Sequence, residues 1–352
     1  MIPRERIRAV LRGEQPDRVP KMVNFYPTSF PQHRGREAGE VFGCEVRFVE
    51  LDAPREQGRF LRYLESLPRD TYVGPDYILR TYHDWGYHPE IERDAPLGDA
   101  RTIAQIAAAP LPDFMRRLKL DRLAREVERL HAQGYAVMAS PPHLGGELFE
   151  TAWRLRGFDQ FMLDLIDNPP LVEYLLDQLT AMHLAVSVAL ARAGIDILAL
   201  DDDVAEYTRM LISPAHWRAY FKPRFQAIIA ACRAAAPDLF IFWHSDGNIE
   251  PILPDLIEIG VNVLNPVQPD AMDPARLKRL YGDQLAFWGT IGTAQRWAWA
   301  EPEAIREEVR ERIATVGAGG GLIVCPAYDL DPEFRWENLI AMFEAVEEFG
   351  VY

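Results

Sequence analysis

The sequence predicts an α/β protein, a closed TIM-type (β/α) barrel, and three observations carry that prediction. From about residue 120, strand-like and helix-like segments alternate with a regular rhythm. The strand-like runs, such as DILAL at 196–200 and FIFWHS at 240–245, are almost continuously apolar rather than alternating. Both faces of such strands are buried, as in a parallel sheet covered by helices. No glycine-rich dinucleotide fingerprint follows the first strand, which favours a closed barrel over an open, doubly wound sheet.

The elements follow in order. Residues 3–13 read as a short amphipathic helix, with Pro3 near its start, Ile7, Val10 and Leu11 on one face, and Gly13 as its stop. The run VPKMVNF at 19–25 reads as the first strand. Residues 28–130 are expected to form an irregular insertion near the barrel mouth. Across 41–95, short aromatic and β-branched runs such as EVRFVEL mix with turn formers, which is the pattern of hairpins. A helix over 120–133 then leads into the strand YAVMAS at 135–140. Helices over 146–166 and 170–193 precede DILAL, and a helix from Ser213 to about Ala235 precedes FIFWHS. The strands at 261–267, 285–291 and 321–327 alternate with helices from Pro251, Pro274 and Pro302, and a last helix runs to Glu348. Several of these helices open with Ser-Pro, Asp-Pro or Glu-Pro, which supplies an N-cap and a preset first turn. The whole of 1–352 reads as one barrel domain. The GAGGG stretch at 317–321 precedes a strand instead of following one, so it belongs to the stability face rather than to a phosphate cradle.

Composition narrows the function. A net charge of -15 opposes nucleic acid or an anionic membrane as the main partner and leaves a small-molecule substrate. The N-terminal stretch is polar, with no apolar signal core, and no apolar run is expected to approach the ~20 residues of a membrane span, so a cytoplasmic setting is expected. Cys44, Cys232 and Cys325 are odd in number and widely spaced, so no disulfide framework is implied. Only Lys21, Lys119, Lys222 and Lys278 could form a Schiff base, and of these only Lys21 lies beside a strand.

Polar residues at the C-terminal ends of barrel strands are functional suspects, because packing does not ask for them there. Reading each end gives Asn24 and Tyr26, then His143, then Asp201, Asp202 and Asp203. Later ends add His244, Asp246 and Asn248, then Asn265 and Gln268, and finally Cys325, Tyr328 and Asp329. Three adjacent carboxylates cannot all be ionised at close range unless a cation intervenes. One is expected to cap a helix and at least one to face the active centre. His244 and Asp246 are two residues apart at a strand end, so they can converge on one metal ion or one substrate atom. An Asp of the triplet, Cys325 or Asp329 would complete such a metal set. Cys325, inside GLIVCPA, also reads as a small buried hydrophobe. The catalytic candidates are therefore His244, Asp246, Asp201, Asp202 and Tyr328. Asn24, Tyr26, His143, Asp203, Asn248, Asn265, Gln268 and Asp329 are candidates for substrate binding.

The stretches RIRAVLRGEQPDRVP, LISPAHWRAYFKPRFQAII, HSDGNIEPILPDLIEIGVNVLNPVQPDAMDP, LAFWGTIGT and GGGLIVCPAYDLDPEFRWENLIAMFEAV resemble the uroporphyrinogen decarboxylase superfamily. That superfamily unites haem-pathway decarboxylases with corrinoid-dependent methyltransferases. The resemblance spans most of the chain and implies a uroporphyrinogen decarboxylase-like (β/α)8 barrel. Two departures bear on function. The decarboxylases resemble one another in an early arginine-bearing segment that grips the substrate's carboxylates, whereas here no arginine lies between Arg18 and Arg34. The coenzyme M methyltransferases resemble one another in a His-x-Cys-Gly and a Pro-Gly-Cys that bind zinc. Here these positions read His244-Ser245-Asp246-Gly247 and Pro326-Ala327-Tyr328, so the histidine stays and both thiolates are gone. The resemblance implies a methyltransferase that passes a methyl group from a small methylated compound to a corrinoid carried by a partner protein, with a divalent metal such as zinc. The alternatives are a decarboxylase or other lyase acting on a carboxylated substrate, and a non-catalytic ligand-binding barrel.

Overall fold

The buried apolar runs pair as the rhythm predicts, in a computed structural model that describes residues 1–23, 38–49, 95–327 except 110 and 112, and 334–352. The strands are β1 Val46–Phe48, β2 Ala136–Ala139, β3 Ile197–Asp201, β4 Ala205–Glu206, β5 Arg209–Met210, β6 Phe240–His244, β7 Val263–Asn265, β8 Ala286–Ile291 and β9 Leu322–Pro326. Seven of them form one sheet in the order β1-β2-β3-β6-β7-β8-β9, with every neighbouring pair parallel. The first predicted strand completes the ring over its described part. Lys21 bridges Val324 in parallel, and Met22 N donates to Val324 O at 2.8 Å while Val324 N donates to Pro20 O at 2.9 Å. On its other side, Lys21 N donates to Glu45 Oε2 at 3.0 Å, beside the start of β1. The result is a (β/α)8-type barrel. β4 and β5 form a small antiparallel hairpin on its rim.

The structure corrects three expectations. β1 falls inside 28–130, within the EVRFVEL stretch read as part of an insertion, yet Val46–Phe48 pairs with Ala136–Met138 as a barrel strand. Three residues are too few for their apolar pattern to separate a barrel strand from a hairpin. The helix predicted over 146–166 is two helices, Phe149–Arg156 and Phe158–Asp167, broken at Gly157, whose φ of +81° an α-helix does not admit. Helix Pro169–Arg192 is long and apolar enough, by length and composition, to cross a membrane. In this fold it lies on the barrel, with Leu175, Leu176 and Leu179 fully buried.

Local chemistry sets many of the helix starts. Ser213, Asp273 and Thr293 each accept from the backbone N–H three residues on, and the first two precede a proline. On the N-terminal face, the buried carboxylate of Asp196 accepts from Arg4 at 3.0 Å, Arg8 at 2.8 Å and the backbone N–H of Val137 at 3.0 Å. His131 Nε2 lies 2.8 Å from it. One side chain thereby ties helices Pro3–Leu11 and Leu120–Ala132 to β2 and β3.

Candidate active site at the strand C-termini

β3 and β6 end in register, Asp201 opposite His244, and β7 brings Asn265 to the other side of His244. Alternation along β6 decides where the imidazole goes. Phe242 meets the Trp288 ring edge-on at 5.2 Å, whereas Trp243 packs at 4.6 Å on Phe225 of helix Lys222–Ala235, outside the sheet. His244 shares the side of Phe242 and so points inward.

His244 Nδ1 lies 2.5 Å from Asn265 Oδ1, and Asn265 Nδ2 donates to Trp288 O at 2.8 Å. The Asn265 oxygen must therefore accept, which puts a hydrogen on Nδ1 and turns Nε2 toward the carboxylates. Nε2 stands 3.8 Å from both Asp203 Oδ1 and Asp246 Oδ1. Asp201, Asp203 and His244 each bring one ligand atom within 4.8 Å of the others. Asp201 Oδ1 is buried with no hydrogen-bond partner among the described residues. Imidazole nitrogen and carboxylate oxygens, one of them orphaned, make an oxygen-rich set that fits a divalent cation, and the Asn265 bond gives the imidazole an orienting partner.

Without a cation the same charges act on protons. Burial pushes His244 toward its neutral form, but Asp201, Asp203 and Asp246, with Asn265, outweigh it and raise its pKa to about 10. Burial also pushes the Asp201 carboxyl well above its ordinary range; His244 opposes the rise, and Asp203, Glu150 and Glu147 add to it.

The predicted residues divide into groups. Asp203, expected to bind substrate, belongs with His244 and Asp201 in the ligand group, and its Oδ1 accepts from Asp246 N at 2.6 Å. Asp246, expected as a ligand, flanks this group. Asp202, expected to be catalytic, is fully buried; its two oxygens accept from Phe149 N at 2.8 Å and Glu150 N at 2.9 Å. It is the triplet's helix cap, but for the helix after β2 rather than the one after β3. Asn265 and Gln268, expected to bind substrate, are buried and hold their neighbours in place, Gln268 by accepting from Gly247 N at 2.8 Å. His143 is buried behind the centre; burial, then His244, lowers its pKa to about 3, so it stays neutral. Asn248 lies outside the ligand group and lines a cleft of about 370 Å³ with residues of hairpin β4–β5 and Pro251. Cys325 stays in the buried β9, opposite Thr290, outside the ligand group. Asn24, Tyr26, Tyr328 and Asp329 lie outside the described residues.

Two residues were missed. Glu147 is fully buried and Glu150 nearly so, and both accept from backbone N–H groups of the Asp triplet. Burial and Asp203 raise the Glu150 pKa to about 7, with Arg154 opposing. In the sequence, acids at a helix start read as ordinary dipole partners, and only burial sets these apart.

Comparisons with known proteins agree with this fold. The family model described as uroporphyrinogen decarboxylase (URO-D) matches residues 100–349. The chain is 25% identical over 319 residues to the uroporphyrinogen decarboxylase of Pseudomonas syringae pv. tomato, covering 88% of this chain and 83% of that protein. It is 27% identical over 190 residues to the methylcobamide:CoM methyltransferase MtaA of Methanosarcina barkeri, and there spans about half of each protein, 54% and 52%. A solved methyltransferase from Methanosarcina mazei has the same fold, with a TM-score of 0.65 over 99% of both chains at 18% identity. The relatives thus divide between decarboxylases and methyltransferases. With a match that covers most of its length, the chain belongs to the uroporphyrinogen decarboxylase family.

Proposed function

We propose that this protein is a methyltransferase that takes a methyl group from a small methylated compound and passes it to a corrinoid carried by a separate protein. The observation that supports this reading is the group of Asp201, Asp203 and His244, with ligand atoms within 4.8 Å of one another and Nε2 turned toward the acids. These three residues would hold a divalent ion, zinc first among the candidates, with Asp246 beside it. Bound there, such an ion supplies Lewis acidity toward the heteroatom that carries the methyl group. The protein's own side chains fix the geometry: Asn265 sets the imidazole, and Asp246 N holds Asp203. The methyl group would pass without its bonding electrons to the reduced corrinoid of the partner. The heteroatom would keep the electron pair and take up a proton, for which the half-exposed Asp246 offers a route from solvent.

A second reading, a carboxy-lyase, is favoured by one observation. His244 is held protonated by three carboxylates, as a general acid requires. The same carboxylates would repel a polyanionic substrate, and of the described cations only His244 and Arg154 enter the carboxylate group. The test is an assay of purified enzyme with a corrinoid protein and a panel of methylated compounds, following the absorbance change when cob(I)alamin is methylated. Metal-dependent turnover supports methyl transfer. Turnover of a carboxylated substrate in chelator, without corrinoid, would establish the lyase instead.

A further inference from the structure

We infer that Glu147 is the positioning residue that presents Asp201 to the cation, an inference that rests on the metal reading above. Glu147 lies in the turn after β2, and its side chain is fully buried. Glu147 Oε2 accepts from Asp201 N at 2.7 Å, and Glu147 N donates to Asp201 O at 2.8 Å. Asp201 is therefore gripped on both sides of its backbone by one residue. Glu147 Oε1 is buried without a hydrogen-bond partner among the described residues, so nothing else anchors this carboxyl as its other oxygen does.

The grip is part of a longer zipper. Asp202 accepts from Phe149 N and Glu150 N, and Asp203 N donates to Glu150 Oε2 at 3.4 Å. Gly146 lets the two segments meet: a Cβ there would lie 2.5 Å from Asp202 Oδ1 and 2.8 Å from Asp201 O. Three consecutive residues, 201–203, are thus fastened to three residues of the turn and helix start. Asp202 secures the helix, whereas Glu147 acts on the ligand residue itself. A buried carboxyl is a costly way to satisfy one amide, since water or a turn would do so without desolvating it. Its placement is accounted for by orienting Asp201, whose own Oδ1 is kept free of hydrogen bonds.

The test titrates Co2+ into the purified, metal-free chain, following heat and the visible d–d bands. Glu147→Gln keeps an acceptor and should bind Co2+ within about threefold of the parent, with the same spectrum. Glu147→Met keeps the length and burial but removes the acceptor; Co2+ binding should weaken about 10- to 100-fold, the range for lost orienting partners, and the bands should shift. If the Met variant does not fold, Glu147→Asp, which withdraws the carboxyl by one methylene, should show the same weakening. Unchanged affinity and bands in the folded Met or Asp variant overturn the inference alone. No Co2+ binding by the parent chain overturns the metal reading, and the inference with it.

Discussion

At the scale of the residue, one imidazole stands at the centre of the candidate site, and its surroundings separate it from the two fully buried histidines, His143 and His183. His183 and His143 are buried among groups that leave them neutral, each with a pKa of about 3, whereas three carboxylates hold His244 up at about 10. Replacing His244 with alanine should abolish turnover while leaving the fold intact, because the strand end tolerates truncation. Cys325→Ser should behave in the opposite way, with stability reduced by roughly 1–3 kcal/mol through a buried hydroxyl, and turnover near that of the parent. Urea unfolding beside a steady-state assay distinguishes the two. Loss of turnover in the serine variant would bring Cys325 into the site. His244 and the Asp triplet were legible in the sequence because polar residues interrupt apolar runs there. Asn265 and Gln268 were legible as polar strand ends, but not as positioning groups. An amide's role depends on which neighbour takes its oxygen, and only the fold supplies that neighbour.

Between elements, the triplet at 201–203 divides its labour by strand alternation. Asp201 and Asp203 lie on the ligand side, and Asp202 turns to the N-terminus of helix Phe149–Arg156. Asp202→Ala would leave two buried amides without their acceptor and remove a carboxylate from a helix N-terminus. It should lower stability by about 2 kcal/mol or more, read as a lower urea midpoint at unchanged m-value. A variant as stable as the parent would show that Phe149 N and Glu150 N find other partners. Sequence reasoning anticipated a cap in the triplet, but on the following helix. The actual helix lies about fifty residues earlier, and such a partner is visible only once β2 and β3 are neighbours.

For the whole molecule, burial of histidine makes stability depend on pH. His183, in the long helix Pro169–Arg192, is fully buried, and burial followed by His143 lowers its pKa to about 3, against 6.5 for an ordinary imidazole. Between those values the unfolded chain binds a proton that the folded chain refuses. Stability therefore falls on acidification from about pH 6.5 toward pH 3, by about 1.4 kcal/mol per pH unit for this group. His183→Leu should remove that contribution, so its stability at pH 5 should fall less relative to pH 7 than the parent's does. Denaturant midpoints at the two pH values measure the difference, and parallel losses in both proteins would refute it.

What the sequence determined by itself was the barrel and the polar strand ends, His244 among them, that make up the candidate site. Each follows from local pattern: apolar runs of strand length, proline-opened helices, and polar residues where a buried strand must end. Tertiary structure alone decided that Val46–Phe48 is a barrel strand, that Asp203 rather than Asp246 joins the ligand group, and that Glu147 grips Asp201. The physical reason is the range of the interaction. Burial pattern and capping act within a few residues of chain, whereas a carboxylate's partner is chosen by whichever strand end the closed sheet sets beside it.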